Sequence, residues 1–292
     1  MSLSPKSFQP ADFTDFFEKA NRAGSVVTWA GDWNELGSEN GGPKVVAGLA
    51  STYNYTPVVI VTFFTQSDGK LLRPLDEDTK RKYKEGAVAY AEKYKPEYLG
   101  LGIEVNMLYE KSPEDFDSFA QFYSEVYDAV KEKSPGTKVF TVFQLEKIKG
   151  LGGGLFGGAS DPSKSEWGLL DRFPDSDLVA FTTYPGLVYK EPSELPPDYY
   201  SEIKGHTTKP VAFTEIGWHS SAVPEGWESS DGEQAEFVAT FFNRTADLHP
   251  ELAVWSFLYD QGTSEPFDSM GLIRADGVAR PAFDAWVSNA TQ

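Results

Sequence analysis

The chain of 292 residues contains no cysteine. This absence excludes disulfide bonds, zinc–thiolate centres and thiol nucleophiles. Histidine is almost as scarce, with three residues in the whole sequence. Hydrolytic metal barrels generally use more histidines than this chain could bring together. The composition therefore predicts neither a resident metal ion nor another cofactor.

Basic residues and long apolar runs are also in short supply. The 26 lysines and arginines face 44 aspartates and glutamates, which gives a formal charge of −18 and a pI near 4.6. Nucleic-acid binding needs a basic face that neutralises phosphates, and no cluster of lysines and arginines supplies one. No apolar run has the length of a membrane span. We therefore expect neither nucleic acid nor a membrane as a partner. Residues 1–5 lack the basic and apolar stretches of a secretory leader. The compartment stays open: the protein would be secreted if a leader was removed, and cytoplasmic otherwise.

Short apolar runs alternate with amphipathic stretches along the whole chain. The runs are continuous rather than alternating with polar residues, which is typical of parallel strands covered on both faces. The predicted strands cover residues 25–29, 57–64, 98–104, 138–143, 178–183, 211–215 and 253–258. The predicted helices cover residues 11–23, 43–53, 79–94, 113–133, 167–173, 198–204, 232–248 and 281–290.

This pattern is one strand short of eight strand–helix units. Residues 1–5 complete the count if they are the remnant of a truncated first strand. We therefore predict an α/β fold, a (β/α)₈ TIM barrel, formed by one domain over residues 1–292. An open doubly wound sheet is the alternative. Such a sheet normally has a glycine-rich phosphate turn after its first strand, and the sequence Ala30-Gly31-Asp32-Trp33 is not one.

Two glutamates stand at the ends of predicted strands. Glu104 follows the apolar run Leu-Gly-Leu-Gly-Ile, and Glu215 follows Val-Ala-Phe-Thr. An unpaired carboxylate at the mouth of a buried strand costs several kcal/mol, so chains place one there mainly when a pocket uses it. Retaining glycoside hydrolysis needs such a pair, one acid/base and one nucleophile about 5 Å apart. The alternative is that each glutamate is salt-bridged and chemically inert.

The positions of the two glutamates resemble a known group of enzymes. With residues 1–5 counted as the first strand, Glu104 ends the fourth strand and Glu215 the seventh, as in the clan A retaining glycoside hydrolases. The segments Gly-Ile-Glu104-Val and Phe-Thr-Glu215-Ile-Gly-Trp-His-Ser-Ser resemble the fourth and seventh strands of the glycoside hydrolase family 113 β-mannanases. The resemblance implies that Glu104 is the acid/base and Glu215 the nucleophile. Most of the clan has Asn directly before the acid/base, whereas here Ile103 stands there and the nearest Asn is Asn106.

Further site residues follow from the same resemblance. It implies that Tyr184, at the end of the sixth strand, hydrogen-bonds the nucleophile. It also implies that Trp255 forms the floor of the sugar site and is followed by a cis peptide bond. Other aromatic and polar residues at strand ends are candidates for substrate binding, because a pyranose has an apolar face and a polar rim. They are Trp29, Asp32, Trp33, Asn106, Gln144, Trp218, His219 and Tyr259.

We therefore predict a monomeric, retaining, endo-acting glycosidase. Its substrate would be a neutral oligo- or polysaccharide with β-linkages, β-mannan first and β-galactan or β-glucan second. Two alternatives remain open: a carbohydrate-binding barrel without catalysis, and a metal-dependent barrel hydrolase that would use His219, Glu215 and Asp32. The glycine-rich segment 149–160 lacks the Gly-Lys-Ser/Thr ending of a phosphate loop, and we predict that it is a mobile loop over the cleft.

Overall fold

Strands and helices alternate in the computed structural model, which describes residues 1–222 and 224–290. Its helices are α1 (Pro10–Ala23), α2 (Gly42–Tyr53), α3 (Glu77–Tyr94), α4 (Val105–Lys111), α5 (Pro113–Lys133), α6 (Leu145–Ile148), α7 (Asp231–Thr245) and α8 (Pro281–Ala290). Its strands are β1 (Val26–Asp32), β2 (Thr56–Thr62), β3 (Tyr98–Leu101), β4 (Lys138–Phe140), β5 (Val142–Gln144), β6 (Val179–Thr183), β7 (Val211–Ile216) and β8 (Leu252–Trp255). Within this part of the chain no helix is long and apolar enough to cross a membrane.

The strands are parallel and follow one another in chain order around a barrel. They pair as β1-β2-β3-β4 and β5-β6-β7-β8. The Val142 amide donates to the Gly102 carbonyl at 3.0 Å, so β4 and β5 continue one barrel position across Thr141. The Ser2 amide donates to the Trp255 carbonyl at 3.1 Å, and the Leu3 amide donates to the Thr28 carbonyl at 2.8 Å. Residues 1–3 thus fill the first position between β8 and β1, and the predicted (β/α)₈ barrel is confirmed.

The core has one layer inside the barrel and a larger one between strands and helices. The interior is filled by alternate strand residues, as the period of two requires. They include Val58, Ile60, Tyr98, Phe140, Val142, Leu178, Ala180, Ala212 and Leu252. Gly100 is needed here because a methyl group at this position would lie 2.6 Å from Cγ2 of Ile60. On the outside, α3 buries Tyr83, Ala87, Tyr90 and Ala91, whose spacing of three and four residues places them on one face of the helix.

Two predicted helices are wrong in type. Residues Trp167–Arg172 and Ser201–Gly205 form single 3₁₀ segments instead of α-helices. Short single turns often take the tighter 3₁₀ form, and the second segment follows Pro196-Pro197 closely. The strand predicted over residues 98–104 is also too long. β3 ends at Leu101 because Gly102, with φ of 106°, turns the chain out of the sheet.

Candidate active site

The carboxyl ends of the strands open onto a cleft with two lobes that meet at Glu215. The first lobe has a volume of about 860 Å³ and contains both Glu104 and Glu215 in its wall; we call it the Glu104 lobe. The second has a volume of about 640 Å³ and is lined by Glu215 and Trp29 without Glu104; we call it the Trp29 lobe. Both volumes lie in the range of small-molecule sites. The predicted carboxylate pair therefore shares one cavity wall.

Glu104 is held by a sharp turn between β3 and α4. Its φ of 52° and ψ of 45° place it in the left-handed region, which costs a non-glycine residue about 1–3 kcal/mol. Such strain persists only where the surroundings impose it, and it concentrates at functional sites. The turn lifts the Glu104 carboxyl from the end of the strand into the Glu104 lobe.

The surroundings of Glu104 favour its protonated form. The Thr182 hydroxyl donates to Oε1 of Glu104 at 2.6 Å, which taken alone would lower the pKa. Burial in the cleft wall and the negative charge of Glu215 outweigh this bond and raise the pKa of Glu104 to about 8. A carboxyl group with this pKa holds a proton at neutral pH and can act as a general acid.

Glu215 lies at the end of β7 and contacts Tyr184. The Tyr184 hydroxyl donates to Oε2 of Glu215 at 2.5 Å, so the contact predicted between these two residues is confirmed. The same hydroxyl lies 2.9 Å from Oγ of Ser256, which fixes its orientation. Burial raises the pKa of Glu215, and the hydrogen bond from Tyr184 lowers it. Tyr184 thus supports the charged form of Glu215 and positions its carboxylate.

Gln144 lines the Glu104 lobe, and Asn106 holds it from behind. Nδ2 of the Asn106 side chain donates to the backbone carbonyl of Gln144 at 3.0 Å. Oδ1 of Asn106 accepts from the backbone amide of Gln144 at 2.8 Å. Asn106 itself is buried and lies outside both lobes. The structure therefore places Gln144, and not Asn106, where a substrate could be contacted.

Glu146 is a buried carboxylate that the sequence did not single out. Its Oε1 accepts hydrogen bonds from the Tyr199 and Thr183 hydroxyls at 2.7 and 2.8 Å. Its Oε2 accepts from Nε2 of Gln144 at 2.6 Å and from the Tyr184 amide at 3.2 Å. Burial raises the pKa of Glu146, and the hydrogen bonds from Tyr199, Thr183 and the Tyr184 amide oppose that rise. Glu146 thereby ties the Gln144 side chain to the backbone that presents Tyr184.

Trp29 lines the second lobe of the cleft, a position in which a candidate for sugar binding could contact substrate. A methyl group at either Gly31 or Gly42 would collide with its indole ring. The two glycines therefore let the backbone pack directly against the ring and hold it in place.

Trp255 does not form the floor of the cleft. Its side chain is fully buried, packs against Phe237 and Trp286, and donates from Nε1 to the Met270 carbonyl at 2.8 Å. Successive strand residues point to opposite faces, so Trp255 faces the helices while its neighbour Ser256 lines the cleft. The cis bond predicted after Trp255 is also wrong: within residues 1–222 and 224–290 the cis peptide is Glu265–Pro266.

Asp32, Trp33 and Tyr259 are likewise outside both lobes. The Asp32 carboxylate makes two hydrogen bonds of 2.8 Å with the Arg73 guanidinium, which takes up both of its oxygens. Trp33 is buried against Tyr83. The Tyr259 hydroxyl is occupied by Asp15 and Lys19 on α1. Trp33 and Tyr259 are buried, and the partly exposed Asp32 is paired with Arg73, so the positions of the three residues do not support the prediction that they contact substrate.

Trp218 and His219 also face away from the cleft. Trp218 stacks on Phe237 of α7, and Nε2 of His219 lies 2.9 Å from the Trp227 carbonyl. β7 ends at Ile216, and the backbone after it lies against α7, where Nε2 of Gln234 donates to the Trp218 carbonyl at 2.9 Å. In the part of the chain that the structure describes, no group of three or more acidic or histidine side chains is arranged to hold a metal ion.

Several cleft residues have no signal in the sequence. Thr182 and Ser256 are ordinary strand residues until the barrel brings them to Glu104 and Tyr184. Phe257 lines both lobes and Phe267 lines the Glu104 lobe. From the glycine-rich segment, Leu155 and Phe156 also line the Glu104 lobe, as a loop beside the cleft would; its mobility stays a prediction.

Comparison with known proteins places the fold among glycosidase barrels. No family model matches the chain, and no curated protein matches it by sequence. Among solved structures, the exo-β-1,4-mannosidase from Opitutaceae bacterium strain TAV5 is similar, with a TM-score of 0.64, 14% identity and coverage of 99% of this chain and 58% of that one. The GH5_18 protein of Bifidobacterium longum, in complex with Manβ1-4GlcNAc, has a TM-score of 0.68, 15% identity and coverage of 100% and 77%. The Rhizomucor miehei β-1,3-glucanosyltransferase has a TM-score of 0.63, 14% identity and coverage of 92% and 90%.

These similarities concern the fold. The chain spans less than two thirds of the length of the first of these proteins. At identities of 14–15% the likeness shows a shared barrel and carries no residue roles with it. The functional argument therefore depends on the geometry of this chain's own cleft.

Proposed function

We propose that this protein is a retaining glycosidase that cleaves β-linked, neutral oligo- or polysaccharides. The observation that supports the proposal most directly is the carboxylate pair in one cleft wall, with Glu104 favoured as the protonated partner and Glu215 hydrogen-bonded by Tyr184. Double displacement requires two carboxyl groups in different environments, one that favours the protonated form and one that favours the ionised form. The barrels it resembles in fold include proteins named for action on β-linked mannose and glucose, so β-mannan stays the first candidate substrate.

In the first step, the Glu215 carboxylate attacks the anomeric carbon. The glycosidic carbon–oxygen bond breaks, and the proton of Glu104 passes to the leaving oxygen. The products are the released alcohol, a glycosyl ester on Glu215 and an ionised Glu104. In the second step, Glu104 takes a proton from a water molecule, and the water oxygen attacks the anomeric carbon. The ester bond to Glu215 breaks in the same step. The anomeric configuration is retained because it is inverted twice.

The pKa relation of the two glutamates supports this cycle. While Glu215 is ionised, its charge helps to keep Glu104 protonated. Once Glu215 is esterified, that charge is gone, so the pKa of Glu104 falls and Glu104 becomes able to accept a proton from water. One residue can thus serve as acid and then as base.

Azide rescue tests the two roles. In Glu215→Ala, azide can enter the vacated nucleophile position, and we expect an α-glycosyl azide. In Glu104→Ala, glycosylation by an aryl glycoside with a good leaving group persists, and azide should give the β product. Glu110→Gln is the matched control, because Glu110 lines the same lobe but is paired with Lys111 and Lys147.

The outcomes separate the alternatives. The reverse pairing of azide products with the variants would exchange the two roles. Full activity in both variants, measured as reducing sugar released from mannan, galactan and β-glucan, would show that the pair is structural. Glycan binding without hydrolysis by the wild-type protein would favour a carbohydrate-binding barrel.

A further inference from the structure

The two lobes of the cleft are chemically unequal with respect to the carboxylate pair. Glu215, Ala30 and Phe257 line both lobes, whereas Glu104 lines the Glu104 lobe alone. In double displacement the acid/base must reach the leaving oxygen, and the nucleophile stays bonded to the sugar that remains. The leaving part of the substrate therefore lies on the side of Glu104. The lobe that contacts Glu215 without Glu104 faces the part of the substrate that stays on the enzyme.

The Trp29 lobe has the surface that a sugar ring needs. Trp29, Phe8 and Phe13 supply flat apolar rings, and Asn40 and Gln261 supply polar groups. Phe8 is 81% exposed, and its ring centroid lies 6.3 Å from that of Phe13 at the edge of the lobe. An exposed aromatic ring beside a cavity with polar groups at its edge matches the apolar face and polar rim of a pyranose.

The charges of the Trp29 lobe narrow the class of sugar. Its ionisable lining residues are Glu35 and Glu215, and among the described residues no lysine, arginine or histidine lines it. Oε2 of Glu35 accepts from the Gly42 amide at 3.1 Å, which holds this carboxylate beside the lobe. A sugar carboxylate would meet negative charge here without a cation to pair with. Neutral sugars meet no such penalty.

We propose, on the basis of the function proposed above, that the Trp29 lobe is a second glycone subsite. It binds at least one neutral pyranose beyond the sugar that is transferred to Glu215, stacks it on the Phe8, Phe13 and Trp29 rings, and discriminates against uronic acids. The enzyme thereby selects a substrate with two or more sugars on the glycone side.

The test compares substrates of different glycone length. We measure kcat/KM for para-nitrophenyl β-mannoside and para-nitrophenyl β-mannobioside, with the corresponding β-glucosyl pair in parallel. The wild-type enzyme should prefer a bioside over its monoside by about tenfold or more, and Phe8→Ala should reduce this preference by about threefold to tenfold. Because the Phe8 side chain is largely exposed, its removal should leave the fold intact.

Two controls locate the effect. Val278→Ala removes another exposed apolar side chain, away from both lobes, and should keep the wild-type preference. Phe156→Ala alters the Glu104 lobe and should change the use of added alcohol acceptors without changing the preference for the bioside. A preference that is lost in Phe156→Ala and kept in Phe8→Ala would overturn the assignment.

The charge argument has its own arm. A para-nitrophenyl disaccharide that ends in glucuronic acid should be cleaved at least about tenfold more slowly than its neutral counterpart. Glu35→Gln keeps the acceptor for Gly42, removes the charge and should narrow this gap. Equal rates for both disaccharides in the wild-type enzyme would refute the charge argument. Hydrolysis of monosides and biosides at the same kcat/KM would refute the second glycone subsite and leave the proposed function standing. If the protein cleaved no monoside, no bioside and no polysaccharide, the proposed function itself would be refuted.

Discussion

Tyr184→Phe should move the acid limb of the pH profile, because Tyr184 is the hydrogen-bond donor that supports the charged form of Glu215. The variant removes one hydroxyl and keeps the ring. A hydrogen bond to a charged group is worth about 1.5–3 kcal/mol. A bond to the neutral carboxyl would be worth about 0.5–1.5 kcal/mol, so about 1–1.5 kcal/mol of the bond favours the charged form, and losing it should raise the pKa of Glu215.

The sign follows from the role of nucleophile proposed for Glu215. Glu215 must be ionised to attack, so a higher pKa means that more alkaline conditions are needed for the same activity. The acid limb of kcat/KM should therefore shift to higher pH by about one unit, since this profile reports the free enzyme. The basic limb, which belongs to Glu104, should move less. The bell should become narrower and lower at neutral pH.

The assay is the pH dependence of kcat/KM on an aryl glycoside, with thermal unfolding to establish that the variant is folded. Tyr127→Phe is the matched control, because its hydroxyl donates to Asp177 at 3.0 Å, a tyrosine–carboxylate bond that belongs to neither lobe. Its profile should coincide with that of the wild-type enzyme. An acid limb in Tyr184→Phe that stays in place or moves to lower pH would refute the reasoning.

Two further predictions concern the other carboxylates of the site. In the wild-type protein kcat/KM should fall as the pH rises through about 8, because Glu104 must carry a proton to act as an acid. In Glu104→Gln this fall, the basic limb of the pH profile, should vanish for substrates with good leaving groups. A basic limb that persists unchanged in the variant would assign it to another residue. Glu146→Gln should lower kcat by about tenfold with little change in KM, and it should shift the acid limb of the pH profile to higher pH. The reason is that a side-chain amide leaves buried hydroxyl donors unsatisfied and loosens the backbone of Tyr184. Steady-state kinetics across pH measure both effects, and an unchanged acid limb in Glu146→Gln would limit Glu146 to a structural role.

The sequence by itself determined the barrel and the end of it at which the candidate carboxylate pair lies. Continuous apolar runs alternating with amphipathic stretches specify parallel strands covered by helices, because each run must be buried on both faces. The two glutamates could be recognised because a carboxylate beside such a run is costly without a use. The assignment of Tyr184 to Glu215 came from the resemblance to clan A enzymes, and the structure places the two residues at the carboxyl ends of the neighbouring strands β6 and β7.

Only the tertiary structure decided which way the residues after each strand point. Asp32, Trp218 and Trp255 stand at strand ends like Glu215, yet they turn to Arg73, Phe237 and Trp286. The direction changes with every residue along a strand, and the pairing of β7 with β8 also shifts register between Phe213 and Ile216. A sequence pattern that is uncertain by one residue therefore cannot separate the cleft from the helix layer.

The same reason explains why Thr182, Ser256 and Glu146 escaped prediction. Each acts through a partner far away in the chain or through a network of several elements: Thr182 reaches Glu104, and Glu146 collects donors from Gln144, Thr183 and Tyr199. Their importance depends on distances across the barrel that local patterns do not contain. The sequence thus determined where the candidate site lies, and the packing of the barrel decided which side chains line it.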